Sequence, residues 1–144
     1  MNVFIIGTAL ETAMALDRKR LNKQIIECQQ MIDAIEGKTT AWANHPCTLQ
    51  YKNHKGWLMN YRACLLRYRE GEFGRAETSS RWCELHKPGF HTERYFQQMK
   101  RRLYTKSPKL YEEWAYLGKS EVNWYYVDGG WRFYENGKRV IHMF

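Results

Sequence analysis

The sequence predicts a mainly α protein, a compact helical domain of about four helices with a C-terminal three-stranded antiparallel β-meander. Three observations carry this reading. Apolar residues recur at helical spacing through most of the chain. The tail holds Asp-Gly and Asn-Gly pairs between aromatic and β-branched runs. The length of 144 residues suits one domain spanning 1–144, with 1–118 helical and 119–144 forming the meander as an extension.

The opening run Asn2 to Gly7 is short and apolar, so it reads as a buried segment or short strand. Asp17 is a good N-cap for a helix to about Glu36, stopped by Gly37. Its apolar stripe is Leu21, Ile25, Cys28, Ile32 and Ile35. A polar loop ends in Asn44-His45-Pro46-Cys47, and a second helix spans about His54 to Phe73, closed by Gly71 and Gly74. Residues 74–91 read as irregular, with a Pro88-Gly89 turn. Thr92 caps a third helix carrying Tyr95, Phe96, Met99 and Leu103, and Ser107-Pro108 starts a fourth that ends at Gly118. The strands are Val122–Val127, Trp131–Tyr134 and Lys138–Met143.

Composition narrows the function classes. Hydrophobic residues make up 44% and charged residues 26%, which excludes a disordered, collagenous or coiled-coil chain. Aromatics reach 15%, so large side chains are available to a small core. No apolar run approaches the roughly 20 residues of a spanning helix, and the N-terminus lacks secretion-signal features, so a cytoplasmic protein without a membrane partner is expected. Four cysteines without a CxxC pair are expected to be reduced and buried.

The net charge is +8, and its placement points to an acidic partner. Eight Lys or Arg against two acids lie between Arg81 and Lys109, and Arg18-Lys19-Arg20 forms a second cluster. Such clusters attract polyphosphate with a strength that falls as salt rises.

The first long helix carries the most informative pattern. Arg20, Gln24 and Glu27 follow i, i+4, i+7 and share one stripe, with Lys23 at its edge. A carboxylate at the boundary of core and solvent beside Arg20 suits acid–base work, although the same spacing also fits an ordinary ion-pair stripe. Three cations in a helix's first turn oppose the helix dipole but could gather an anion. Proline keeps His45 out of helical geometry, so Asn44-His45-Pro46 is either a phosphate or base contact or a structural turn. Cys83-x-x-His86 with His91 resembles half a zinc site without matching a zinc spacing, so no metal is assigned. No cofactor motif is present.

Leu16-Asp17-Arg18-Lys19-Arg20-Leu21-Asn22-Lys23-Gln24-Ile25-Ile26-Glu27-Cys28-Gln29-Gln30-Met31, with Trp42-Ala43-Asn44-His45-Pro46-Cys47 downstream, resembles the pyrimidine dimer DNA glycosylase family of phage endonuclease V type. The likeness is to its divergent phage and bacterial relatives more than to the prototype. It continues weakly in His91-Thr92-Glu93-Arg94 and in Lys106-Ser107-Pro108-Lys109-Leu110-Tyr111 and covers roughly residues 1–117. The resemblance implies a base-removing enzyme that nicks the abasic site, using its α-amine as nucleophile and a helix glutamate, here Glu27. It also implies that Arg20, Lys23 and Gln24 face DNA. With the basic cluster and the loop, the expected nucleic-acid contacts further include Arg18, Lys19, Asn44, His45, His91, Arg94 and Lys106. A free α-amine titrates near about 8, so a useful fraction can attack C1′ at neutral pH.

Two features depart from the prototype. Asn2 is bulky enough to leave Met1 in place, so the amine belongs to Met1, or to Asn2 if Met1 is removed. The predicted meander replaces a helical end. The expected function is therefore a DNA glycosylase, with or without lyase activity, acting on a damaged or modified base in DNA. The alternatives are a non-catalytic or host-modulating protein that binds DNA or RNA, and an N-glycosidase acting on free nucleotides.

Overall fold

A computed structural model describes residues 1–120, 123–135 and 138–143, with side chains described as far as Arg132. Six α-helices precede the sheet: α1 (Ala9–Ala15), α2 (Arg18–Ile35), α3 (Pro46–Gln50), α4 (Lys55–Arg69), α5 (Phe73–Leu85) and α6 (Glu93–Lys106). A 3₁₀ helix (Glu112–Leu117) leads to β1 (Asn123–Val127), β2 (Gly130–Glu135) and β3 (Lys138–Met143), antiparallel in that order.

The expected long helices form for the expected reasons. Asp17 caps α2 by accepting the Arg20 N–H at 3.4 Å, and Gly37 leaves the helix at φ 77°. Thr92 likewise accepts the Tyr95 N–H at 3.4 Å to begin α6. At the first sheet turn, Asp128 and Gly129 adopt φ 54° and 75°, the left-handed pair a tight hairpin requires. Val122 and the Asn136-Gly137 turn lie outside the described residues.

The expectation of about four helices is corrected. Residues 74–91 are not irregular: α5 occupies most of that stretch, and Gly74 lies within it rather than closing α4. Its buried face is Ala76, Ser79, Ser80 and Cys83, small residues that leave no apolar periodicity to read. The same holds for α1, which buries Ala9, Thr12 and Ala13 behind a capping box between Thr8 and Glu11. The expected fourth helix is instead turns followed by the 3₁₀ helix, ended by Gly118 at φ 78°. His45-Pro46 is a helix start as well as a turn, with Pro46 in the first turn of α3.

Helix α4 is central, packing on α5, α2 and α1, while the 3₁₀ helix packs on α6 and α3 on β1. Trp57 of α4 is stacked between Tyr51 and Tyr61, with ring centroids 5.4 and 4.9 Å away. Phe90, His91 and Tyr95 close around Tyr51. Into this aromatic core runs the N-terminal segment, whose Val3, Phe4 and Ile5 are buried without forming a regular strand. All four cysteines are free and buried. No described helix is long and apolar enough to cross a membrane.

Candidate nucleic-acid interface and catalytic cleft

One face of α2 is divided between core and solvent. Leu21, Ile25 and Cys28 turn inward, whereas Arg20, Lys23 and Glu27 face a cleft of about 220 Å³. The opposite side of the cleft is made by Met1 and Asn2, by Arg102 and Lys106 of α6, and by Asn123 of β1. Chain start, glutamate and basic side chains thus share one concavity.

The chain start is held there by specific bonds. Gln24 is 1% exposed and works as a clamp: its Oε1 accepts the Phe4 N–H at 2.6 Å and the Tyr61 hydroxyl at 2.9 Å. Its Nε2 donates to the Asn2 carbonyl at 2.8 Å. The Tyr125 hydroxyl donates to the Met1 carbonyl at 2.8 Å, and the Asn2 side chain donates to Asn123 at 3.0 Å. Residues at both ends of the chain therefore fix the position of the first two residues.

The electrostatics of the cleft follow from this crowding. Burial raises the Glu27 carboxyl above its ordinary range, an effect opposed by the N-terminal ammonium, Lys23 and Lys106. Lys106 is pushed down, first by burial and then by Arg102, Lys23 and Arg20. Lys23, Arg102 and Lys106 converge there, with Glu27 the carboxylate in the lining among the described residues, so the cleft can receive an anion.

His45 stands beside this arrangement. It is half-buried, its Nδ1 accepts the Cys47 N–H at 3.1 Å, and its ring meets Tyr125 edge-on at 6.0 Å. Burial, and then the positive N-terminus, hold it down at about 4, so it is neutral at physiological pH with its proton on Nε2.

Arg20 is tied at both ends of its fork. It pairs with Asp17 at 3.0 Å and donates to the Ser107 hydroxyl at 2.8 Å. Asp17 in turn accepts a hydrogen bond from the Tyr111 hydroxyl, which itself accepts the Asp17 N–H at 3.0 Å. Burial alone would raise the Asp17 carboxyl; Tyr111 and Arg20 outweigh it and hold the carboxyl below its ordinary range. The Ser107–Tyr111 segment is thereby docked on the start of α2.

Of the residues singled out from sequence, Met1, Asn2, Lys19, Arg20, Lys23 and Glu27 meet in the cleft together with Lys106. Gln24 lines it from within the core, where its amide is spent on the backbone rather than directed at a ligand. Arg18, Asn44 and Arg94 are exposed away from the lining, and the expected anion site at the first turn of α2 already has its Arg20 N–H occupied by Asp17. His91 is 4% exposed and bonds the Tyr51 hydroxyl at 2.6 Å, which places it in the core and not at a surface. Cys83 is likewise internal, with its sulfur donating to the Trp57 carbonyl at 3.9 Å.

Arg102 and Asn123 were not singled out. The i, i+4 spacing of Arg102 and Lys106 puts both on one face of α6 and was available in the sequence. Nothing local to Asn123 signals its place opposite Asn2.

The cations and the carboxylate that line this cleft suit an anionic ligand. Residues 1–68 match the family model for pyrimidine dimer DNA glycosylase, so this part of the chain is similar to that family. The matched segment holds α1, α2, α3 and nearly all of α4, so it supplies the chain start and Glu27. Arg102, Lys106 and Asn123 of the opposite wall lie beyond it. No curated protein and no solved structure matches the chain.

Proposed function

We propose that the chain is a DNA glycosylase that works from the cleft between α2 and α6, with the α-amine of the first residue as nucleophile and Glu27 as the proton-transferring group. The observation that supports it most directly is that Met1, Asn2 and Glu27 line one cleft edged by Lys23, Arg102 and Lys106.

The chemistry proceeds in balanced steps. The unprotonated amine nitrogen attacks C1′ of the damaged nucleotide, and the electron pair of the N-glycosidic bond leaves with the base, which takes up a proton. Loss of the amine proton and opening of the sugar ring give an iminium at C1′. Removal of a C2′ proton then expels the 3′ phosphate by β-elimination, and water releases the enzyme. Glu27, half-buried and raised, is suited to giving a proton to the opening sugar and to taking one back as the carboxylate. Lys23, Arg102 and Lys106 hold the flanking phosphates, and the Gln24 clamp orients the amine.

The test is borohydride trapping on duplexes carrying a cyclobutane pyrimidine dimer or an abasic site. The expected result is a covalent adduct on the N-terminal peptide, located by mass spectrometry, which also shows whether Met1 or Asn2 carries the amine. Glu27→Gln is expected to slow turnover by roughly 10²–10⁴-fold, the usual range for an acid–base group. An adduct on a lysine, or intact base and strand after prolonged incubation, overturns the assignment.

A further inference from the structure

A second cavity, of about 310 Å³, lies on the other side of α6, between that helix and the sheet. Trp124 of β1 and Trp131 of β2 line it with Tyr95, Arg94 and Arg101 of α6, and the Tyr95 ring lies against Trp131. The cross-strand register pairs Trp124 with Phe133 and Tyr126 with Trp131, so the two tryptophans are diagonal neighbours on one face of the sheet. Trp131 is further set by Tyr126 and Tyr95, with ring centroids 5.5 and 5.9 Å away.

The cavity is braced. Gln98 Nε2 donates to the Trp124 carbonyl at 3.1 Å, tying α6 to β1. Arg102 donates to the Ser120 carbonyl at 3.1 Å, and the Ser120 N–H donates to Thr105 at 2.8 Å, which pins the strand approach to the same helix. Its lining carries two guanidinium-bearing residues and three aromatic rings and, among the described residues, no carboxylate. A flat ligand with a π-face and negative charge fits that chemistry, which is the description of a nucleotide. The volume is at the lower end of ligand pockets, so it suits one nucleotide and not a longer segment.

Its position relates it to the catalytic cleft. Arg102 lines the cleft and Arg101 the second cavity; on β1, Asn123 lines the cleft and Trp124 the second cavity. Strand geometry sends successive side chains to opposite faces, so the wall between the two sites is about one residue thick on β1. A DNA strand crossing α6 at Arg101 and Arg102 would meet both.

We propose that this cavity is a second nucleotide site that takes an unpaired base of a single-stranded DNA segment, stacked on Trp124 and Trp131 with its phosphate on Arg101. It rests on the DNA-acting reading for its ligand class only. The site lies entirely beyond residues 1–68 and needs neither the α-amine nor Glu27.

The experiment is anisotropy titration of the full chain with two labelled single strands: a short oligothymidylate, and a strand of equal length whose bases are replaced by tetrahydrofuran abasic units. Both carry the same phosphates. The chain is expected to prefer the base-bearing strand by about tenfold, within the range of a single stacked base. Trp124→Ala and Trp131→Ala are expected to abolish that preference while the abasic strand binds as before. Arg101→Ala weakens both strands. Trp124→Phe keeps a π-face in a folded chain and is expected to keep most of the preference, which separates stacking from loss of structure. Equal binding of the two strands by the unaltered chain, or a preference that survives both alanine variants, overturns the proposal. Because neither strand carries a lesion and no adduct is read, this result stands apart from the borohydride experiment.

Discussion

Gln24 and Phe4 are joined by a 2.6 Å hydrogen bond from the Phe4 N–H to the Gln24 side-chain oxygen, a bond that carries α2 to the chain start. The same amide serves the Asn2 carbonyl and the Tyr61 hydroxyl, so one buried side chain satisfies three polar groups. Gln24→Leu keeps the approximate bulk and strands all three. Each buried group left without a partner costs about 1–3 kcal/mol. The expected outcome is a clear drop in thermal midpoint and a larger drop in adduct formation, as the amine loses its position. Calorimetry and trapping on the same preparation check it, and unchanged trapping would show that the clamp does not orient the amine.

The Tyr111–Asp17 contact sets an acid limit. Asp17 is held below its ordinary range in the folded state, so its contribution is present above the unfolded value near about 3.9 and is lost as pH falls through the folded one. Tyr111→Phe removes the hydroxyl that serves both the carboxylate and the Asp17 N–H. A loss of about 1–3 kcal/mol at neutral pH is expected. The loss should narrow below pH 4, where Asp17 is protonated in the variant. Urea midpoints across that range measure both.

Histidine burial predicts a second, milder pH effect. Burial first, then the charges of His54 and Lys87, hold His91 down at about 3, and burial and the N-terminus hold His45 at about 4. Both values lie below the unfolded value near about 6.5, so stability is full above that pH and declines as pH falls from there toward 4. Each unit of depression corresponds to about 1.4 kcal/mol, so charging His91 is worth several kcal/mol to order of magnitude. Thermal midpoints measured from pH 7.5 to pH 4.5 should fall, and His91→Gln should flatten the slope while lowering the midpoint at pH 7.5.

The cleft cations predict a salt signature. If Lys23, Arg102 and Lys106 each neutralise one phosphate of duplex DNA, each alanine variant lowers the slope of log affinity against log salt by about 0.9. Arg18→Ala, outside the cleft, should leave that slope unchanged. Titrations at several salt concentrations read the difference directly, and equal slopes for Lys106→Ala and the unaltered chain would remove Lys106 from the phosphate path.

Helices with a large apolar stripe could be read from order alone, because periodicity at 3.6 residues is a property of the sequence. That is why α2, α4 and α6 were legible, and why the α2 stripe could be read as Arg20, Gln24 and Glu27 sharing one face. Helices α1 and α5 were not, since Ala76, Ser79 and Ser80 pack closely without being strongly apolar. His91 misled for a related reason: a histidine flanked by Arg and Glu looks like a surface contact until Tyr51, Trp57 and Tyr95 are seen around it.

The sequence by itself determined the helical character, the basic balance and the stripe that carries Glu27, because each depends on residues a few positions apart. Only the tertiary structure decided that Asn123 and Tyr125 reach back to Asn2 and Met1, that Gln24 faces inward to serve backbone groups, and that Arg101 and Arg102 divide between two cavities. Those relationships join residues separated by up to 124 positions, and local spacing carries no record of which distant segments will share a wall.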